Sequence, residues 1–446
     1  MPPPRPADSA CGIDAEEPRL RVLILVDCYY PSTKSSAKLV HDLAVELYQR
    51  GNHAIVLTPS DAISAKVATA TEDGVSVIRV KSGQIKGVNN VQRAVNEARL
   101  SATLWRKAQY FLSQNPCDLI LFYSPTIFFG PLVRRLKQLW NCPAYLILRD
   151  IFPQWAADVR ILRKGVVYRF FCKAAMEQYE IADVIAVQSP ANRKSFAHAF
   201  PQNEPRLKVL FNWTALHEMQ LPRTDYRVRL GLENKIVFLY GGNIGVAQDM
   251  DNILRLATRL ACRSDIHFLL VGEGSEVRRL KNAIEKTRLR NIRILPSVAQ
   301  SEYLSMVSEF DLGLISLDAR LTSHNYPGKL LSYLHWGKPV LASVNPGNDL
   351  LELLQESGAG FCFLNGDDEN LASAALRLAG NSGLRSDMGR NARQLLEQTF
   401  SVERAVSQIF AHLQEARLIT QSGSSKGAFL ADPRVHAHEL AGKCEP

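Results

Sequence analysis

The densest stretch of chemistry-bearing residues is HNYPGKLLSYLHWGKPVLAS, residues 324–343. It reads as a loop, a helix opened by Pro327-Gly328-Lys329, a stop at Gly337, and a short apolar strand from Pro339 to Ser343. A helix start with Gly328 allowing close approach and Lys329 beside it suits an anionic group, because free N–H donors and the helix dipole converge there. His324 and Ser332 flank it as a hydrogen-bonding imidazole and hydroxyl. A second candidate is YGGNIGVAQDMDNILRLA, residues 240–257, in which Gly241, Gly242 and Gly245 let backbone amides face a ligand. It is neither GxGxxG nor a P-loop, so it supports no dinucleotide or Walker-type site. A third turn, VGEGSE at 271–276, brings Glu273 toward a base or ribose, or simply starts a helix. Arg149 and Asp150 close the apolar run PAYLILRD, where a charged pair would face a cleft; Asp150 could orient a hydroxyl, or the pair could be a structural salt bridge. No GxSxG or HExxH motif and no DxD metal pair is expected. His41, His53 and His324 each fall near a strand end or loop, where a lone histidine is usually structural.

Apolar runs of about six residues alternate with helical stretches, the pattern of a parallel sheet covered on both faces. In the first half the runs are 21–26, 53–59, 75–80, 117–125, 143–150, 183–190 and 207–213, with a long helical stretch over 90–114. In the second they are 235–243, 267–274, 292–298, 311–317, 338–343 and 358–364. The fold class expected is α/β, two doubly wound Rossmann-like domains facing across a cleft. The expected boundaries are a disordered N-terminus at 1–18, a first domain at 19–213, a linker at 214–234 and a second domain at 235–400. A helix at 401–418 would return to the first domain, before a flexible tail at 419–446.

A chain of 446 residues with 46% hydrophobic and 22% charged residues fits two to three soluble domains. It holds no apolar run long enough to span a bilayer and no signal-peptide core, so a cytoplasmic protein with reduced cysteines is expected. Residues 1–210 carry 27 Lys+Arg against 18 Asp+Glu, and the remainder 26 against 26, so the whole net charge of +9 lies in the first half. An anionic membrane or a phosphorylated substrate could use it, as could plain solvation of the surface. No nucleic-acid module is recognisable, and no nucleic-acid partner is expected. VRRLKQLW (133–140) and RILRKGVVYRFFCK (160–173) interleave cations with apolar and aromatic residues, as a surface resting on anionic lipid would, and as a sheet-covering helix also would.

From about residue 20 to 418 the chain resembles GT-B glycosyltransferases of family 4. The likeness is to the bacterial branch that builds O-antigen, capsule and exopolysaccharide, including N-acetylfucosamine-type transferases. It rests on VLILVDCYYPSTKSSAKLVHDLAVELYQRGNHAIVLTP, LRDIFPQWAADVRIL, VLFNW, YGGNIGVAQ and the 324–343 segment, in the family's order. The resemblance implies a retaining transfer from a nucleotide sugar without a metal or other cofactor. It places Ser35 and Ser36 where the family often has two glycines, and with Arg149 they fall on the acceptor side. Asp150 and His324 fall at catalytic positions. Gly241, Gly242, Asn243, Gln248, Glu273, Gly328, Lys329 and Ser332 fall on the donor side. Asn243 and Gln248 stand where relatives have an Arg and a Lys that clamp the diphosphate. His324 and Ser332 stand where the family has two glutamates. Amides at Gly242 and Asn243, with Lys329, would have to replace the clamp. The acceptor implied is a polyprenyl-diphosphate-linked glycan at the inner face of the cytoplasmic membrane. A non-catalytic GT-B subunit and a nucleotide-sugar epimerase are the competing expectations.

Overall fold

The structure is a computed structural model that describes residues 19–418, apart from 33, 85–89, 217–221, 223, 323 and 325. The expectations for residues 1–18 and for the tail from 419 lie outside the described residues.

The first sheet has eight strands in the order β3-β4-β2-β1-β5-β6-β7-β8. They are β1 (Arg21–Leu25), β2 (His53–Ser60), β3 (Val67–Glu72), β4 (Val75–Lys81), β5 (Leu119–Tyr123), β6 (Ala144–Ile147), β7 (Val184–Val187) and β8 (Leu207–Val209). All pairings are parallel except β3 with β4. The second sheet is parallel, in the order β11-β10-β9-β12-β13-β14. Its strands are β9 (Ile236–Gly241), β10 (Ile266–Val271), β11 (Ile292–Leu295), β12 (Leu312–Ser316), β13 (Val340–Val344) and β14 (Gly360–Leu364). Each sheet reverses strand order at one point, between β1 and β5 and between β9 and β12, and such switch points open a crevice at the strands' carboxyl ends.

The strands are apolar throughout because both faces are covered. Alternate residues of β1 supply different cores: Val22 and Ile24 join one, Leu23 and Leu25 the other. Val237 and Leu239 of β9 join the same core as Val22, so one apolar body runs through both domains. The chain crosses between them twice, side by side. Thr214 N–H donates to Phe400 O at 2.9 Å, and Val402 N–H donates to Thr214 O at 3.1 Å. Trp213 is fully buried at this crossing and its indole donates to Leu39 O at 2.8 Å. After the second crossing the helix Val402–Glu415 packs on the first-domain helix Ser35–Gln49. Arg50 donates to Ser407 Oγ, and the Tyr145 hydroxyl lies 2.9 Å from His412 Nδ1.

Four details differ from the sequence reading. The stretch 90–114 is two helices, Asn90–Ala98 and Leu100–Gln114. The run at 143–150 stops pairing at Ile147, leaving Arg149 and Asp150 beyond the strand. Strand β3 was not expected; it forms a hairpin with β4 through Asp73-Gly74, both at positive φ (48° and 82°), as a two-residue primed turn demands. Part of the expected linker is packed. Arg227 donates to Asp311 at 2.9 Å and lies 5.5 Å over the Phe310 ring, which holds 224–232 to the second domain.

Candidate functional site

The end of β9 turns sharply into the helix Met250–Arg259. Gly242 takes φ +116°, which a side chain would oppose. The next turn, after β10, lies directly against it. A Cβ on Gly272 would sit 1.8 Å from Gly242 O, and one on Gly274 would sit 2.2 Å from Ile244 O. These glycines permit two backbones to stack, which is a packing reason for VGEGSE. Glu273 is exposed, accepts from Ser297 Oγ, and its carbonyl accepts from Ile244 N–H at 2.7 Å. Beside it a shallow cavity of about 250 Å³ is lined by Gly272, Glu273, Gly274, Lys281, Leu295 and Pro296, among others.

The helix Lys329–His335 starts against the same turn. Lys329 Nζ lies 4.0 Å from the centroid of the Tyr240 ring, and a Cβ on Gly242 would lie 3.6 Å from Lys329 Cε. The amine has no hydrogen-bond or ion-pair partner among the described residues. Burial without a counter-charge therefore pulls its pKa down to about 7. Tyr240 also donates its hydroxyl to Asn243 O at 2.6 Å, so one aromatic ring shapes the turn and carries the cation. Sequence reasoning missed Tyr240; the signal was an aromatic at the last position before Gly-Gly. Ser332 is one helical turn from Lys329 on the same face, and Gly328 is exposed with open space where a Cβ would be.

The expected amide pair is reduced to one. Gly242 N–H is engaged by Val271 O at 2.9 Å, whereas Asn243 N–H takes no partner among the described residues. The Asn243 side chain donates to Gln248 Oε1 at 2.8 Å, so these two stabilise each other in place of a charged clamp. Asp249-Met250-Asp251 spells a DxD pattern, but Asp249 accepts from Asn365 and Asp251 pairs with Arg279. Among the described residues no three His, Cys, Asp or Glu side chains are grouped to hold a metal ion.

His324 lies where the second domain meets the first. Its N–H donates to Asn192 Oδ1 at 2.7 Å and its carbonyl accepts from Ser189 Oγ at 3.1 Å. The ring is held at both nitrogens: Nε2 lies 3.1 Å from Pro346 O, which can only accept, so Nδ1 at 3.3 Å accepts from Ser195 Oγ. Asp349 extends the contact by accepting from Ala191 N–H at 2.8 Å. His324 thus clasps the second domain to the start of the first-domain helix Pro190–Ala199. His324→Ala should lower the melting temperature by a few degrees, about 1 kcal/mol for one part-buried and one exposed hydrogen bond. Nucleoside diphosphate affinity should stay within threefold. Calorimetric melting and titration of the variant check both.

Arg149 lies just beyond the end of β6. It is buried, donates to Leu210 O at 2.6 Å and Phe211 O at 3.2 Å, and lies 5.2 Å over the Trp213 ring. It pins the crossing segment. Asp150 is half-buried beside it, its carbonyl 3.4 Å from Ser124 Oγ. Burial raises the Tyr123 phenol, Arg149 opposes that, and Asp150 and Asp27 reinforce it, which places all four groups together at the carboxyl ends of β1, β5 and β6. Asp27 was missed, although a carboxylate directly after an apolar strand was its visible mark. Ser36 lies in the first turn of the helix Ser35–Gln49, 3.2 Å from Cys28 Sγ, and Ser35 opens that helix.

Residues 222–395 match the family described as Glycosyl transferases group 1. The protein named "Probable glycosyltransferase WbjE" of Pseudomonas aeruginosa is 24% identical over 261 residues, 57% of this chain and 64% of that protein. The chain spans about three-fifths of the length of the first curated relatives it matches. The structure of Anabaena HepE in complex with UDP-glucose superposes with a TM-score of 0.63 at 18% identity, covering 89% of this chain and 100% of that one. That of WaaG, a glycosyltransferase involved in lipopolysaccharide biosynthesis, gives 0.59 at 17% identity, covering 87% and 99%. The fold is GT-B.

Proposed function

We propose that the protein is a retaining glycosyltransferase of surface-polysaccharide synthesis. Its donor would be a nucleotide sugar held by the second domain, and its acceptor a lipid-linked glycan presented by the first. The observation that carries this reading is the Lys329 amine: half-buried, unpaired, stacked on Tyr240 and set against the Gly242 turn. A diphosphate placed there supplies the counter-charge the amine lacks. Asn243 N–H adds a second donor to the same oxygens. The shallow cavity beside Glu273 leaves room for the nucleoside. HepE, which binds UDP-glucose, has this fold, and that supports the donor class. Developing charge on the leaving diphosphate would be met by Lys329 without a metal. Asp150, at the facing strand ends, is the carboxylate that could orient an acceptor hydroxyl.

The first domain supports a membrane-side acceptor. Among the described residues no helix is long and apolar enough to cross a membrane. Yet Ile161, Val166, Val167 and Phe170 are 58, 74, 57 and 50% exposed around the start of the helix Val166–Ile181. Arg160, Arg163, Lys164, Arg169 and Lys173 surround them, all exposed. Cations beside solvent-facing apolar residues suit peripheral contact with anionic lipid at the cytoplasmic face.

The occupied ring of His324 favours one alternative, a GT-B subunit that binds a nucleotide without turning it over. Titration of the purified protein with UDP, GDP, ADP and dTDP tests the donor site, with selective binding of one expected. Binding followed by release of sugar from the matching nucleotide sugar supports the transferase. Binding without release supports the subunit, and no binding from folded protein removes both.

A further inference from the structure

A second cavity, of about 360 Å³, opens between the end of β4 and the two helices Asn90–Ala98 and Leu100–Gln114. Its charged lining residues are Lys81, Arg99, Arg106 and Lys107, and no acidic residue lines it among the described residues. Lys81 Nζ donates to the carbonyls of Asp61 and Ile63, and Lys107 Nζ donates to Lys81 O at 2.7 Å, so both amines are oriented but not neutralised. Arg99 and Arg106 are exposed and have no ion-pair partner among the described residues. The carboxylate nearest in sequence, Glu97, pairs with Arg93 instead. Four like charges facing one concavity repel each other and focus a positive potential in it. Asn96, Ser82 and Thr103 add neutral polar groups to the same wall.

The cavity adjoins the exposed apolar patch. Ser101, directly after the lining residue Leu100, donates its hydroxyl to Phe128 O. The Phe128 ring packs 6.1 Å from Phe170 and 6.3 Å from Phe171. A ligand whose phosphate fills the cavity could therefore lay an apolar tail over Phe170 and Val166. We propose that this cavity is an anion site that takes a phosphate or pyrophosphate group, distinct from the Lys329 site. The assignment rests on the reading of the first domain as the acceptor side.

The test uses the full chain carrying Lys329→Ala, which removes the proposed donor contact, and inorganic pyrophosphate as the probe. At about 0.1 M salt this variant should still bind pyrophosphate, and adding Arg99→Gln and Arg106→Gln should weaken it about tenfold or more, the value of one charge-assisted contact. Both arginines are exposed, so the melting temperature should not move. Pyrophosphate affinity unchanged by the two arginine substitutions, or no binding by Lys329→Ala alone, overturns the site. Failure of the donor reading shows separately, as Lys329→Ala retaining full nucleoside diphosphate affinity. Sedimentation with phosphatidylglycerol and with phosphatidylcholine vesicles then distinguishes the sources. Reduced pelleting with the first only, alongside weakened pyrophosphate binding, supports a lipid-borne phosphate. Unchanged pelleting with weakened pyrophosphate binding supports a soluble phosphorylated acceptor.

Discussion

Lys329→Ala is expected to weaken nucleoside diphosphate binding about 50-fold at pH 7, since a charge-assisted contact in a partly desolvated site is worth about 2 kcal/mol or more. The pH dependence is the sharper signature. The amine sits at about 7 in the free protein because burial opposes its charge. A bound diphosphate favours the charged form and raises that value. Above pH 7 binding must then take up a proton, so affinity should fall by up to about tenfold per pH unit. The diphosphate itself is fully ionised there and contributes no such slope. Lys329→Arg, whose guanidinium stays protonated, should bind with little pH dependence. Titrations at pH 7, 8 and 9 decide it; a flat wild-type profile would sink the unpaired-amine account.

The same group should work against stability. Its folded pKa lies below the ordinary 10.5, so the folded state disfavours the protonated lysine. The cost is full below pH 7 and fades as pH rises toward 10.5. Lys329→Met should therefore melt higher than wild type at pH 7, by on the order of 1–3 kcal/mol after allowing for partial solvent screening. The gap should narrow toward pH 10. A variant that loses ligand yet gains stability separates a binding lysine from a structural one. A lower melting temperature would mean that the amine has a stabilising partner.

Both Rossmann-like sheets were legible because their strands are apolar on both faces, and period and length sufficed to find them. Lys329 and the Gly241-Gly242 turn were legible because helix starts and strand-end glycines have local signatures. What escaped were facts of long-range assembly. Nothing near His324 in sequence tells that Asn192, Ser189 and Ser195, more than 120 residues earlier, hold its backbone and ring. Arg149 looked like a cleft charge because it follows an apolar run, yet three residues of the crossing segment bury it. Gly272 and Gly274 carried a ligand reading because stacking of two turns leaves no mark in either one. Strand β3 was missed for a local reason: Asp-Gly between Val67–Glu72 and β4 is a hairpin signal in a stretch with only moderate hydrophobicity.

Membrane affinity should depend most on the patch at the start of the helix Val166–Ile181. Val166, Val167, Phe170 and Ile161 leave half or more of their surface in water, which a monomeric soluble fold would gain by covering. Moving each exposed half into the headgroup boundary contributes about 1 kcal/mol. The five exposed cations around it contribute up to about 1 kcal/mol each near an anionic surface. Val166→Asp with Phe170→Asp removes two apolar contacts and adds two charges of the repelled sign. Partition onto phosphatidylglycerol vesicles should therefore drop by about 100-fold or more. The fold should hold with a small drop in melting temperature, since Val166 is largely exposed and Phe170 gives up its ring contacts with Phe128 and Phe171, and a melting curve verifies that. Arg163→Gln with Lys164→Gln should cost less and should flatten the salt dependence, because they supply charge but no insertion. If the aspartate pair partitions like wild type, the exposed apolar residues serve some other surface, and the acceptor would have to be reached from solution.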